Sequence, residues 1–365
     1  MAKFPLSEMA LNMFCPGNVL MTDDAGLPSV MVYIPKFKLS DVLTGGDDSI
    51  HPAFIVNGVE IPGFYYSKYQ NVVYNGKAYS LPAEDPSVSV NFYTALEYCE
   101  GKGYGWHLST AVEWAAVALW CKKNGFLPYG NNSYGKDSRE SEYLAVPTYK
   151  DANSGQTLRV ATGTGPKSWS HDGTTSGIWD MNGNIWEWQG GIRLVWGELQ
   201  ILANNDAADS DNPQNKTSTR WKAISASDGS LVEPESYTTD TAVKDSGNTV
   251  KLDYVDSAWI YSTGITSSED KNRSTNFGDV TCTASISTAA KVLLRALALL
   301  PDEGEDAAAY EGDRVHWNNG LPECGVFRGG DWGSAIQAGM FFSYGSFPRS
   351  ILYHYIGFRA AFAQF

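Results

Sequence analysis

The stretch GIWDMNGNIWEW, residues 177–188, decides how the rest of the chain is read. Its centre, Gly183-Asn184, pairs the two residue types that enter left-handed backbone most readily, so a tight turn with positive φ is expected there. Trp179, Trp186 and Trp188 around it supply large apolar area, suited to a fold short of regular strands. Glu187 stands between two of these tryptophans and needs a partner if it is buried with them.

Upstream, SVNFYTALEYCEGKG (89–103) spaces Phe92, Ala95, Leu96 and Cys99 along one helical face, with Gly101 and Gly103 to stop it. LSTAVEWAAVALWCKKNG (108–125) begins with a Ser-Thr cap and predicts a second buried stripe of Val112, Ala115, Ala116 and Leu119. Before them, PSVMVYIPKFKLS and IPGFYYSKYQNVVY read as strands rich in β-branched and aromatic residues. Residues 1–28 read as an N-terminal arm and 29–365 as one domain. Within that domain, about 198–316 turns to Asp, Ser, Thr and Asn and reads as a polar insertion that decorates the fold. Inside it, the 287–306 segment predicts a capped helix with Val292, Leu293, Ala296, Leu299 and Leu300 inward.

Composition narrows the class. Hydrophobic residues at 43%, with 36 Gly, 20 Tyr and 12 Trp, describe a turn-rich globular protein of many short strands. A net charge of −14 with no basic cluster argues against nucleic-acid binding. The longest apolar run, Val292–Leu300, holds Arg295 and is too short to span a bilayer, so no membrane insertion is expected. The N-terminus lacks the uninterrupted apolar stretch of a secretory signal. Five scattered cysteines fit free thiols better than a disulfide framework or a zinc site.

Four stretches in order, MVYIPKF, ALEYCEGKGYGWHLSTAVEWAAVA, GIWDMNGNIWEW and FRGGDW with IGFRAA, resemble the formylglycine-generating-enzyme-like branch of the C-type lectin fold. The resemblance covers about 30–197 and 317–365. It implies an α+β fold of short, twisted strands with two flanking helices. It also implies calcium at Asn184 and Glu187, against the alternative that both hydrogen-bond the turn itself. The oxidase chemistry of that branch needs a cysteine pair after the Gly-Gly of the C-terminal block. Ser334 and Gly339 stand at those places, and neither is a soft metal ligand. His51, His107, His171, His316 and His354 show no metal-ligand spacing, and no G-x-S-x-G is present. The chain is therefore not expected to be an enzyme, the alternative being a relative with a different, non-cysteine active site.

The C-terminal block, 327–359, is most similar to the variable region of diversity-generating-retroelement proteins, which keep the lectin scaffold and diversify one surface by adenine mutagenesis of Asn codons. The pattern places diversified, ligand-binding positions at Asp331, Gly333, Ser334, Ile336, Phe342, Tyr344, Ser346, Phe347, Ile351, Leu352, Tyr353, His354 and Tyr355. Every one is a residue such mutagenesis can reach. Trp332, Gln337 and Met340, which it cannot reach, fall on scaffold positions. Trp332, Arg328, Gly357 and Arg359 are expected to support the site, with Pro348 and Arg349 framing the loop.

The run Ile351–Tyr355 has neither strand nor helix period and reads either as a buried strand or as a contact surface. The resemblance favours the surface, and with it a protein or glycan receptor on a host or target cell. A phage tail tip or fibre is the expected location, with a bacterial cell surface or a structural virion role as alternatives. These positions are fewer than the roughly 20–30 residues per side of a standard interface. Modest affinity per site is expected, raised by display as a homo-oligomer such as a trimer.

Overall fold

The computed structural model describes residues 6–143, 145–236 and 247–365. Two sheets organise it. The smaller has five antiparallel strands in the order Val19–Thr22, Pro28–Pro35, Gly63–Ser67, Ala360–Phe362, Trp106–Leu108. The C-terminal strand thus lies between two strands from the first third of the chain and closes the domain. Val19–Thr22 pairs with Pro28–Met31, so the sheet begins inside the expected N-terminal arm.

The two predicted helices form where their caps and stops allow. Asn91 Oδ1 accepts the Thr94 N–H at 2.9 Å, and Phe92–Glu100 buries Phe92, Ala95, Leu96 and Cys99, the face read from the sequence. Thr110 and Glu113 form a reciprocal capping box at the start of Ala111–Lys123. That second helix is buried almost all round, including Glu113. Its surroundings account for this: it packs between the Trp186–Val195 strand and the Thr288–Ala296 helix. Glu113 Oε1 also takes bonds from His107 Nε2 at 2.8 Å and Asn205 Nδ2 at 3.0 Å.

The 198–316 segment is not decoration. Glu198–Ile201, Lys251–Val255 and Ala258–Ser262 extend the larger, twelve-stranded sheet beyond Trp186–Val195. Arg273–Asn276 and Arg314–Trp317 extend its opposite flank beyond Ser343–Phe347. One core cluster runs from Val32 and Phe54 through Trp114 to Trp259, Leu294 and Trp317. The segment looked superficial because many of its polar residues are buried with partners: Lys251 Nζ meets Glu235 Oε2 at 2.6 Å, and Asp253 Oδ2 accepts Thr266 Oγ1 at 2.6 Å. Its helix ends at Ala296 and buries Ala290, Leu294 and Ala296, with Leu299 and Leu300 buried just beyond it, while Val292 and Leu293 are only half-buried. Among the described residues no helix is long and apolar enough to cross a membrane, and all five cysteines are free.

Candidate functional site

The signature turn sets the frame. Gly183 has φ +76°, and a Cβ there would meet the Asn131 carbonyl oxygen at 2.2 Å, so only glycine fits. Asn184 follows with φ 63°. Trp179, Trp186 and Trp188 are all buried, and the Trp188 indole N–H donates to Val90 O at 2.9 Å.

The calcium expectation at Asn184 and Glu187 is corrected by what their oxygens already do. Glu187 accepts from Arg359 Nε at 2.7 Å, Arg359 Nη2 at 3.0 Å and Gln70 Nε2 at 3.0 Å. Asn184 Oδ1 accepts from Val160 N at 2.9 Å and Asn131 Nδ2 at 3.1 Å. A carboxylate clamped by a guanidinium and an amide oxygen already accepting two N–H groups are structural joints rather than cation ligands.

Arg359 therefore supports the fold from beneath, also donating to the carbonyls of Ser67, Lys68 and Trp179. Gly357 permits a close approach, since a Cβ would meet Ser87 O at 2.4 Å. Arg328, buried, donates to the carbonyls of Leu297 and Ala298 at 2.9 and 3.1 Å. It holds the end of the inserted helix rather than the surface loop.

Ile351–Tyr355 is a loop, not a buried strand: Leu352 is 58% and Tyr353 36% exposed. Its main chain is fixed through carbonyls. Phe92 N–H donates to Arg349 O at 3.0 Å, Ser89 N–H to Tyr353 O at 3.0 Å and Trp186 N–H to Tyr355 O at 2.9 Å. Arg159 Nη1 reaches His354 O at 3.3 Å. The side chains carry none of this anchoring.

The loop's rings join those of the Ser343–Phe347 strand. Tyr344 and Phe347 lie parallel at 5.3 Å between centroids, Phe347 meets Tyr353 at 5.4 Å, and Tyr353 stacks on Tyr355 at 5.1 Å. Trp332, buried, contacts both His354 and Tyr355. Tyr344, Phe347 and Tyr355 of this group line a depression of about 270 Å³ together with Asp331, Gly333, Ser334 and Phe342.

Two of the positions expected to be diversified are not on the surface. Phe342 is 3% exposed and packs on Trp186 at 4.5 Å, forming floor rather than rim. Ser346 is also 3% exposed, and its hydroxyl points toward His316 O at 3.3 Å, because a register shift between the Phe327–Tyr344 and Gly325–Phe347 pairs breaks the strand's alternation and leaves Tyr344 and Phe347, not Ser346, at the depression. Ile336 is exposed on the Ala335–Gln337 turn, outside the depression, and Ile351 packs half-buried against the core.

Sequence reading missed His316, Phe327 and Gln337 as lining residues. His316 stacks on Tyr344 at 5.4 Å and pairs with Gln337 Oε1 at 3.2 Å. The alternation of Arg314–Trp317, with Val315 and Trp317 buried, was the available signal that His316 faces the other way. Burial lowers the His316 pKa, leaving a neutral imidazole at neutral pH. Burial raises that of Asp331, opposed by bonds from Ser334 and Gly333.

A larger cleft of about 490 Å³, lined by Trp120, His171, Asp172 and Asp41, shares no residue with this depression. Its His171 Nδ1 already accepts the Ile178 N–H at 2.8 Å, and Asp172 Oδ1 is taken by Thr174 N at 2.9 Å. Those groups are committed to the loop they sit in, so volume alone does not make the cleft the better site.

A comparison with family models matches residues 13–194 to the sulfatase-modifying factor enzyme 1-like domain. The match spans just under half of the chain. The chain has the α+β, C-type lectin-like fold, and the sulfatase-modifying factor enzyme 1-like domain is completed from outside the match by the Ala360–Phe362 strand. Among solved structures the chain is similar to PvdO from Pseudomonas aeruginosa, at 14% identity over 95% of this chain and 98% of that one, with a TM-score of 0.38. It is similar to variable protein 1 of Treponema denticola, at 12% identity over 96% and 100%, TM-score 0.35. The Major Tropism Determinant P3c variant follows at 10% identity over 95% and 71%, TM-score 0.31. A comparison of the sequence with curated proteins finds no match.

Proposed function

We propose that this chain is a ligand-binding display protein of the diversity-generating-retroelement type, recognising a receptor on a target cell through its C-terminal surface, in the setting of a phage tail tip or fibre. It binds rather than catalyses. The observation that carries the reading is the division of labour in 351–355: the carbonyls of Tyr353, His354 and Tyr355 take the hydrogen bonds that anchor the loop, while the side chains of Tyr353, His354 and Tyr355 make none of them. Such a loop accepts new side chains without losing its conformation, as a diversified surface requires. Tyr344, Tyr353 and Tyr355 add large, rigid contact area with polar tips, as in antibody loops. The Ser334 and Gly339 positions supply no thiol for oxidase chemistry.

The test is binding of the full chain to host-surface extracts beside a variant with Tyr353, His354 and Tyr355 changed to Ala. Binding is expected to weaken by at least about thirtyfold, the scale of one interface hot spot, while the variant still unfolds in one cooperative transition. Unaltered binding would place recognition elsewhere. Sequencing the surrounding DNA should also reveal a reverse transcriptase and an imperfect repeat of the segment encoding the block.

A modest single site calls for several copies. Light scattering at working concentration is expected to report an oligomer, a trimer being the simplest, and a monodisperse monomer would overturn this.

A further inference from the structure

Within that recognition surface, and resting on its being one, we propose that the depression receives a protonated amine or guanidinium, presented as a Lys or Arg side chain of a protein partner. Three features converge. First, the walls are aromatic, with Trp186, Phe327, Phe342, Tyr344, Phe347 and Tyr355 all in the lining. Phe327 and Tyr344 are parallel within 8° at 5.1 Å, Tyr344 and Phe347 within 7°, and the Trp186 indole stands edge-on to Tyr344 at 5.4 Å. Aromatic faces carry the negative lobe of the ring quadrupole and attract cations, most strongly where water is excluded.

Second, Asp331 is the one carboxylate lining the depression, and no lysine or arginine lines it. Its Oδ1 accepts Gly333 N at 3.0 Å and Ser334 Oγ at 2.8 Å, and the Trp186 indole N–H is a further donor to the carboxylate, but all three donors are uncharged and among the described residues no cation pairs with it. A half-buried carboxylate without a counter-charge is an incomplete arrangement, and an incoming N–H cation completes it. Third, the neutral His316, held on Gln337, adds no opposing positive charge. An anion would meet both Asp331 and the ring faces. An uncharged sugar would stack but leave the carboxylate uncompensated, so a cationic side chain fits this chemistry better than a glycan.

The experiment is saturation-transfer difference NMR on the full chain with N-acetyl-arginine amide, N-acetyl-lysine amide, the uncharged N-acetyl-norleucine amide and methyl galactoside. A saturable signal from at least one cation is expected. It should weaken roughly tenfold or more in Asp331→Asn, the loss appropriate to a charge-assisted contact. Asparagine keeps an oxygen for Gly333 and Ser334, so the loop should keep its shape, which an unchanged melting midpoint verifies. Equal binding of norleucine amide, undiminished binding in Asp331→Asn, a preference for methyl galactoside, or no saturation by either cation up to about 10 mM, the range of weak fragments, overturns the inference. The two readings fail separately. Host binding lost in the triple alanine variant but kept in Asp331→Asn defeats only the cation. Cation binding that depends on Asp331, beside host binding indifferent to the triple variant, defeats only the recognition surface.

Discussion

Arg359→Met is expected to lower the free energy of unfolding by about 3–5 kcal/mol, the scale for removing one partner of a buried ion pair. The arginine is fully buried and makes five hydrogen bonds, two to Glu187 and one each to the carbonyls of Ser67, Lys68 and Trp179. These partners belong to the Gly63–Ser67 strand and its following loop, the start of the signature stretch at Trp179, and the first residues of Trp186–Val195. One guanidinium therefore fastens the C-terminal strand to the elements it must close against. Methionine fills the space of the stem but leaves Glu187 charged, with only Gln70 Nε2 to solvate it. Adding Glu187→Leu to Arg359→Met should recover part of the loss, because the isolated charge rather than the missing attraction dominates the cost. Urea unfolding at constant m-value reads both effects. A loss under about 1 kcal/mol in the single variant, the worth of a surface ion pair, would show that the joint does not hold the domain shut.

This joint also marks where local reading ends. The turn at Gly183-Asn184, the buried face of Phe92–Glu100 and the cap at Thr110 are short-range features, legible from neighbours within four residues. Glu187 announced the need for a partner, but that partner lies 172 positions away. Asn184 and Glu187 were thus open to a metal until the fold supplied Asn131, Gln70 and Arg359. The 198–316 segment misled for the same reason in reverse. Lys251, Asp253 and Glu198 carry surface-type side chains, yet each is buried with its bonds made. Of the candidate surface, the loop Ile351–Tyr355 was legible because nothing periodic hid it. Ser346 was not, because its neighbours give no sign of which strand face carries the patch. His316 enters from the far flank of a segment read as peripheral, so its place beside Tyr344 depends on a sheet order that no local pattern encodes.

The same separation in sequence makes Glu323 a control point for a surface it does not touch. Its Oε1 accepts from Arg193 Nη1 at 2.9 Å and Arg349 Nη2 at 2.6 Å, and all three groups are buried. Burial, and then Arg349 beside it, hold the Arg193 pKa down at about 10 against the pull of Glu323. Two guanidiniums already share one carboxylate, so Glu323→Gln leaves both without a counter-charge, and a loss of about 3–5 kcal/mol is expected. Arg349 is also the post from which the Ile351–Tyr355 loop hangs: its carbonyl takes the Phe92 N–H, and its guanidinium lies over the Phe92 ring at 4.9 Å. Repulsion from Arg193 should therefore be felt in 350–355 before the rest of the domain. Amide exchange can separate the local effect from the global one. The Ile356 amide, bonded to Tyr353 O, should lose more protection than the Trp188–Arg193 amides of the central strand. Equal loss at both would mean that Glu323 stabilises only the whole fold, and that the loop owes its shape to its carbonyl anchors alone. Greater loss at Ile356 would instead make the buried Arg-Glu-Arg group the reason a surface free to vary in side chains keeps one backbone.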